Sequence, residues 1–299
     1  MKRYGRTLGT AAGVLALAAL AGGCGSSAPT SPQGAPPPSA PAPGDAATAS
    51  TPASDSASTL AAAQAAARTA AWAKWGLTPL PPTPAPPADR PIKLTRTGEV
   101  PVIKRVPTNQ KVVFITVDDG AEKDPAFIRM EQQLRVPITM FLMNDTIKDD
   151  YGYFKPLQAL GNSIQNHTLH HPAMNTISEA RQQDEVCGDQ KILTAQYGVA
   201  PFLFRPPYGA GAYSSALNTA VQACGPRAIV YWTETMEITG LEYQTPSRKL
   251  QDGDIILAHF RGPSELKGET MTKMFANLLE RIHEQGFAVA RLDDYIQRP

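Results

Sequence analysis

The chain has 299 residues, with 28 basic against 27 acidic side chains and a formal net charge of +1. That length admits one large domain with extensions or two small ones. The balanced charge gives no electrostatic argument for nucleic-acid binding, which depends on a concentrated basic face. More than half of the 28 prolines lie in the first third, so the folded body is shorter than the chain.

Residues 1–24 read as an export signal. Lys2, Arg3 and Arg6 precede a short apolar run from Leu8 to Leu20, too short for a permanent membrane span. Ala21-Gly22-Gly23 then lead into Cys24, which resembles the lipobox of bacterial lipoproteins, where the thiol carries a diacylglycerol. The expectation is a protein exported and held on the bacterial cell membrane by a lipid on Cys24. Ordinary secretion is the alternative.

Residues 25–91 form a low-complexity Ala/Pro/Ser/Thr linker. From Gly25 to about Ser56 aliphatic residues are too few to offset chain entropy, which predicts a disordered tether. An Ala-rich stretch over 58–75 predicts a helix ending at Trp72 and Trp75, either packed on the body or transient. Pro79 to Pro91 reads as stiff and extended.

The body spans 92–299. Val112-Val113-Phe114-Ile115 is a continuous β-branched and aromatic run, as in a strand buried on both faces. Asp124-Pro125 caps a helix running to about Leu134. Further strands are expected at Ile138–Met143, Ser163–Asn166, Phe202–Phe204, Ala228–Trp232, Asp254–Ala258 and Phe287–Ala290. The intervening helices fall at Ser178–Tyr197, Tyr213–Cys224 and Glu269–Gln285. This alternation predicts an α/β fold: a deformed or incomplete (β/α) barrel of about seven parallel strands, with its chemistry at the strands' C-terminal ends.

The polar residues able to carry chemistry fall at those ends. Asp118-Asp119-Gly120 follows the first strand and His167-Thr168-Leu169-His170-His171-Pro172 the third. Arg205-Pro206-Pro207-Tyr208-Gly209 follows Phe204, and His259 follows Ile255-Ile256-Leu257-Ala258. Singly these are a turn, an incidental histidine pair, a loop and a rim histidine. Pro172 disfavours a helix at His171, and Thr168 stands where the zinc-protease HExxH motif needs glutamate, so a metallopeptidase is disfavoured.

Together, TVDDG, HTLHHP, RPPYG and LAH resemble the motifs of the NodB-type polysaccharide deacetylases, carbohydrate esterase family four, from about Val112 to the C-terminus. The resemblance implies one divalent metal ion, zinc first and Co, Ni or Mn as options, held by Asp119, His167 and His171. It implies removal of acetyl groups from a polysaccharide substrate, with Asp118 as general base on a metal-activated water. Arg205 would pair with Asp118, His259 would be the general acid, and the Tyr208 N–H would contribute to the oxyanion hole. The family's fourth motif supplies Trp and Asp. Here Tyr231-Trp232-Thr233-Glu234-Thr235-Met236-Glu237 offers Trp232 for the aromatic but no Asp, and either glutamate substitutes only after a shift. The alternative is therefore a catalytically weak, lipid-anchored carbohydrate-binding protein on the same fold. His170 is expected to point away from the metal, and His283 to be structural. With Cys24 lipidated, Cys187 and Cys224 are either disulfide-bonded or buried free thiols, and they lack a redox or zinc spacing. No protein partner is implied.

Overall fold

The computed structural model describes residues 53–299. The export signal, Cys24 and most of the expected tether lie outside the described residues. In chain order the elements are α1 (Ala53–Ala73), β1 (Ile92–Lys93), β2 (Val102–Ile103), β3 (Val112–Asp119), α2 (Pro125–Leu134), β4 (Ile138–Leu142), α3 (Asn144–Ile147), α4 (Phe154–Ala159) and β5 (Ser163–Asn166). There follow α5 (Glu179–Tyr197), β6 (Leu203–Phe204), α6 (Ser215–Cys224), β7 (Ala228–Val230), β8 (Glu234–Met236), β9 (Leu241–Tyr243), β10 (Ile255–His259), α7 (Met271–Glu284), β11 (Ala288–Val289) and β12 (Ile296–Gln297).

The main sheet runs β2-β7-β6-β5-β4-β3-β10-β8-β9, with β11 paired to the start of β3. The pairings are parallel except β8–β9, a hairpin on the outer edge. The result is an open, curled half-barrel, as the alternating pattern predicts. The strands at 112–119, 138–142, 163–166, 203–204, 228–230, 255–259 and 288–289 correspond to the seven expected ones. The sequence pattern missed β2, the β8–β9 hairpin and the β1–β12 pair. These are two- and three-residue strands, too short to show periodicity.

β3 shows how the sheet builds toward the site. Val113, Ile115 and Val117 enter one core cluster with Phe127 and Met130 of α2 and Phe275 and Leu279 of α7. Val112 and Phe114 enter another cluster with Phe141, Leu203, Val230 and Ile255. Alternate side chains thus point to the helical layer and to the barrel interior. Continuing the inward register past Phe114 brings up Thr116 and then Asp118. Asp124 accepts a hydrogen bond from the Ala126 N–H and caps α2, with Pro125 in its first turn.

The Ala-rich helix belongs to the packed body. Trp72 is 1% exposed and joins Leu77 and Leu80 in the larger core cluster, and the Trp75 Nε1–H donates to Gln133 Oε1 at 2.9 Å. Pro79 to Pro91 has no regular structure. It runs as a strap against the body, with Leu80 buried and the Thr83 hydroxyl donating to the Val289 carbonyl at 2.8 Å. The folded unit therefore reaches N-terminally past Ile92. A disulfide joins Cys187 on α5 to Cys224 at the end of α6. Among the described residues no helix is long and apolar enough to cross a membrane.

Candidate active site

The C-terminal ends of β3, β5, β6, β7 and β10 converge on one rim. Parallel pairing sets His259 directly beside Asp118 and Phe141 in register on the other side. After Asp119 the chain must turn at once. Gly120 has φ +81°, and a Cβ there would lie 2.6 Å from Ile147 and 2.9 Å from Phe154, so the last position of TVDDG admits glycine alone.

Asp119, His167 and His171 each offer one ligand atom, and these atoms all lie within 4.8 Å of one another. Asp119 Oδ1 is 3.4 Å from His167 Nε2 and 3.3 Å from His171 Nε2. It is buried and makes no hydrogen bond, as an oxygen directed at a cation would be. Burial alone would raise the Asp119 pKa, but the two imidazoles outweigh it and hold the carboxyl well below its usual range. His167 Nδ1 lies 2.7 Å from the Arg205 carbonyl oxygen. A carbonyl only accepts, so Nδ1 carries the proton and the neutral ring turns the Nε2 lone pair toward Asp119. Burial disfavours the imidazolium of His167, yet Asp118 and Asp119 outweigh this and raise its pKa. A proton and a cation therefore compete for the same nitrogen. One carboxylate and two imidazoles fit a zinc-like ion and leave coordination positions open.

Backbone strain concentrates at the same point. Among the described residues seven non-glycines have positive φ, and Asp119 (74°), Thr168 (76°), His171 (58°) and Tyr208 (59°) are four of them. Each costs about 1–3 kcal/mol and persists where surrounding contacts over-determine it.

Arg205 is fully buried. Its Nη1 donates to Asp118 Oδ1 at 2.7 Å and to Thr116 Oγ1 at 2.8 Å. Its Nε and Nη2 donate to the carbonyls of Val230 and Tyr231 at 3.1 and 3.2 Å. The guanidinium also sits 4.3 Å from the Phe141 ring centroid and 5.6 Å from that of Trp232. Burial lowers its pKa and Asp118 opposes the shift. Asp118 Oδ2 is 3.7 Å from His167 Nε2. Burial also pushes His259 down to about 4, against the pull of Asp118 and Asp119, so its resting imidazole is neutral at pH 7.

The fourth-motif stretch is resolved by the structure. Glu234 does not reach Arg205. It is buried beside Asp254, accepts from the Thr233 hydroxyl at 2.6 Å, and is pushed up to about 8 by burial and by Asp254. Glu237 is exposed and lines a cavity of about 160 Å³ with His259, Met236, Ile238 and Met274. The Arg205 donors Nε and Nη2 are taken by the Val230 and Tyr231 carbonyls. Trp232 stacks on Tyr231 at 4.3 Å, and the Tyr208 ring meets that of His171 edge-on at 4.7 Å. His170 turns to Glu185 at 2.9 Å. His283 lies in the last turn of α7. The sequence reading missed Thr116, which accepts from Arg205, and Asn166, Glu185 and Asp189, which anchor the loop from His167 to His171. Buried Glu185 and Asp189 look in sequence like residues of a solvated helix face.

Comparison with known proteins agrees with this geometry. The polysaccharide deacetylase family profile matches residues 105–229. An uncharacterised protein of Streptomyces coelicolor is 38% identical over 197 residues, covering 66% of this chain and 77% of that one. A peptidoglycan-N-acetylglucosamine deacetylase of Bacillus cereus is 22% identical over 203 residues, covering 64% and 91%. A solved carbohydrate esterase family 4 pseudoenzyme from Bacillus anthracis shares the fold with a TM-score of 0.54 at 20% identity, covering 67% and 71%. With its motifs gathered on one rim of a curled parallel half-barrel, the chain belongs to the polysaccharide deacetylase family.

Proposed function

We propose that the protein is a metal-dependent hydrolase that removes acetyl groups from an extracytoplasmic polysaccharide. The substrate class is an N-acetylglucosamine polymer such as peptidoglycan or chitin oligomers, with acetylated xylan as the O-acetyl counterpart. The carrying observation is the Asp119, His167 and His171 cluster directly beside the buried Asp118–Arg205 pair. A cation at that cluster, zinc first, supplies Lewis acidity toward a water and the acetyl carbonyl. Asp118 accepts the proton of the attacking water, and Arg205, donating to its Oδ1, aims the carboxylate. The Tyr208 N–H steadies the developing oxyanion. The proton that Asp118 takes from the water would pass to His259, in register beside it, which as general acid would hand it to the leaving amine.

The test is acetate release from N-acetylglucosamine oligomers or peptidoglycan by zinc-loaded protein, lost on chelation. Glycan binding without acetate release would establish instead the carbohydrate-binding alternative, which the missing fourth-motif aspartate motivates. The proposal also covers export, with a lipid on Cys24 as membrane anchor. Cys24→Ala then moves the protein from the membrane fraction to the medium, and continued membrane retention would count against the anchor.

A further inference from the structure

The segment between the two histidine ligands departs from regular structure, and its backbone donors are taken up by side chains. The Thr168 N–H is accepted by Asn166 Oδ1 at 3.1 Å and the His171 N–H by Thr168 Oγ1 at 3.0 Å. The two N–H groups between them, of Leu169 and His170, both donate to Glu185 Oε2, at 3.0 and 2.9 Å. The other oxygen, Glu185 Oε1, lies 2.9 Å from His170 Nδ1 and accepts from Arg181 Nη2 at 2.7 Å. The Glu185 side chain is 1% exposed, and it stands on α5, outside the ligand and proton-transfer groups assigned above.

The loop is also moulded onto α5 by shape. The Leu169 side chain lies so close to Gly188 that a Cβ there would overlap it. One turn further along, Asp189 Oδ2 accepts the His167 N–H at 3.2 Å, and the Asn166 amide donates to the Val186 carbonyl at 2.9 Å. Thr168 and His171, at φ 76° and 58°, are held in a conformation that β-branched and bulky residues avoid. Two adjacent N–H groups converging on one carboxylate form an anion-holding concavity, here filled from within the protein.

We propose that Glu185 is a positioning residue for the metal site: by holding the Leu169 and His170 N–H groups it sets the strained loop so that the His171 imidazole faces Asp119 and His167. The proposal rests on the reading that Asp119, His167 and His171 hold a cation. A carboxylate buried at this depth and serving four donors is strongly committed, since removing it leaves the Leu169 and His170 N–H groups without their acceptor.

The test measures zinc affinity of metal-stripped protein by competition with a chromophoric chelator. The visible spectrum of the cobalt(II)-loaded protein is recorded in parallel. Glu185→Ala is expected to weaken zinc binding about 10–100-fold, in the range seen when partners that orient ligands are removed, and to alter the cobalt spectrum. Glu185→Gln, which keeps the shape and one acceptor oxygen, is expected to recover part of the loss. Arg181→Ala removes the ion pair but leaves both loop hydrogen bonds, and is expected to bind zinc within about twofold of wild type. If Glu185→Ala folds with unchanged zinc affinity and cobalt spectrum while His167→Ala loses the site, the Glu185 role fails and the metal reading stands. If the wild-type protein binds zinc no better than His167→Ala, both fail. Should the alanine variant not fold, amide hydrogen exchange on metal-free wild type decides: protected Leu169 and His170 amides are expected, and unprotected ones would overturn the proposal.

Discussion

Asp118 and Arg205 are both within 2% of complete burial, so neither tolerates loss of the other. Asp118→Ala strands a buried guanidinium and is expected to cost about 3–5 kcal/mol in denaturant unfolding. Asp118→Asn keeps an acceptor for Arg205, yet cannot take the water proton. It is expected to fold and bind zinc while losing acetate release. Retained turnover in Asp118→Asn would remove Asp118 as the base. Glu234 offers a pH test away from the metal. Its folded pKa is raised to about 8 by burial and by Asp254, with Arg105 opposing, against about 4.3 in the unfolded chain. The folded state therefore binds the extra proton, and the stabilisation present at low pH is lost as pH rises through that window. The thermal midpoint of wild type should fall between pH 5 and 8.5 more than that of Glu234→Gln. Equal falls would show that Glu234 is already ionised in the fold.

At the scale of elements, α1 and α5 carry the consequences. The fully buried Trp72 attaches α1 to the body. Trp72→Ala is expected to cost about 3–5 kcal/mol of unfolding free energy, and a change under 1 kcal/mol would mean that the helix is an appendage. α5 holds the His167–His171 loop through Glu185 and Asp189, and the Cys187–Cys224 bridge ties it to α6 across a separation of 37 residues. Replacing both cysteines by serine is expected to cost about 2–5 kcal/mol. If α5 is the frame of the ligand loop, that variant also binds zinc less tightly, as chelator competition would register.

Across the whole molecule, zinc binding to the folded state alone must raise its stability, by about 2.7 kcal/mol at a hundredfold excess over Kd. The thermal midpoint should rise with zinc in wild type and stay fixed in His167→Ala. The sequence was enough for the parallel α/β alternation and for the assignment of Asp118, Asp119, His167, His171, Arg205 and His259 to one rim. Long apolar runs fix strand burial locally, and in a parallel sheet every strand's C-terminal end arrives on the same side. It was also enough to mark Thr233 to Glu237 as a departure. Only the tertiary structure decided where these residues lie. Carbonyls of Val230 and Tyr231 hold Arg205, Glu234 faces Asp254, and Glu237 shares a cavity with His259. It likewise decided that α1 packs against the body and that Glu185 turns inward. Helix periodicity does not reveal which face of a polar helix meets a loop distant in sequence. That choice belongs to hydrogen bonds and burial created when the elements pack, and they do not exist in any segment taken alone.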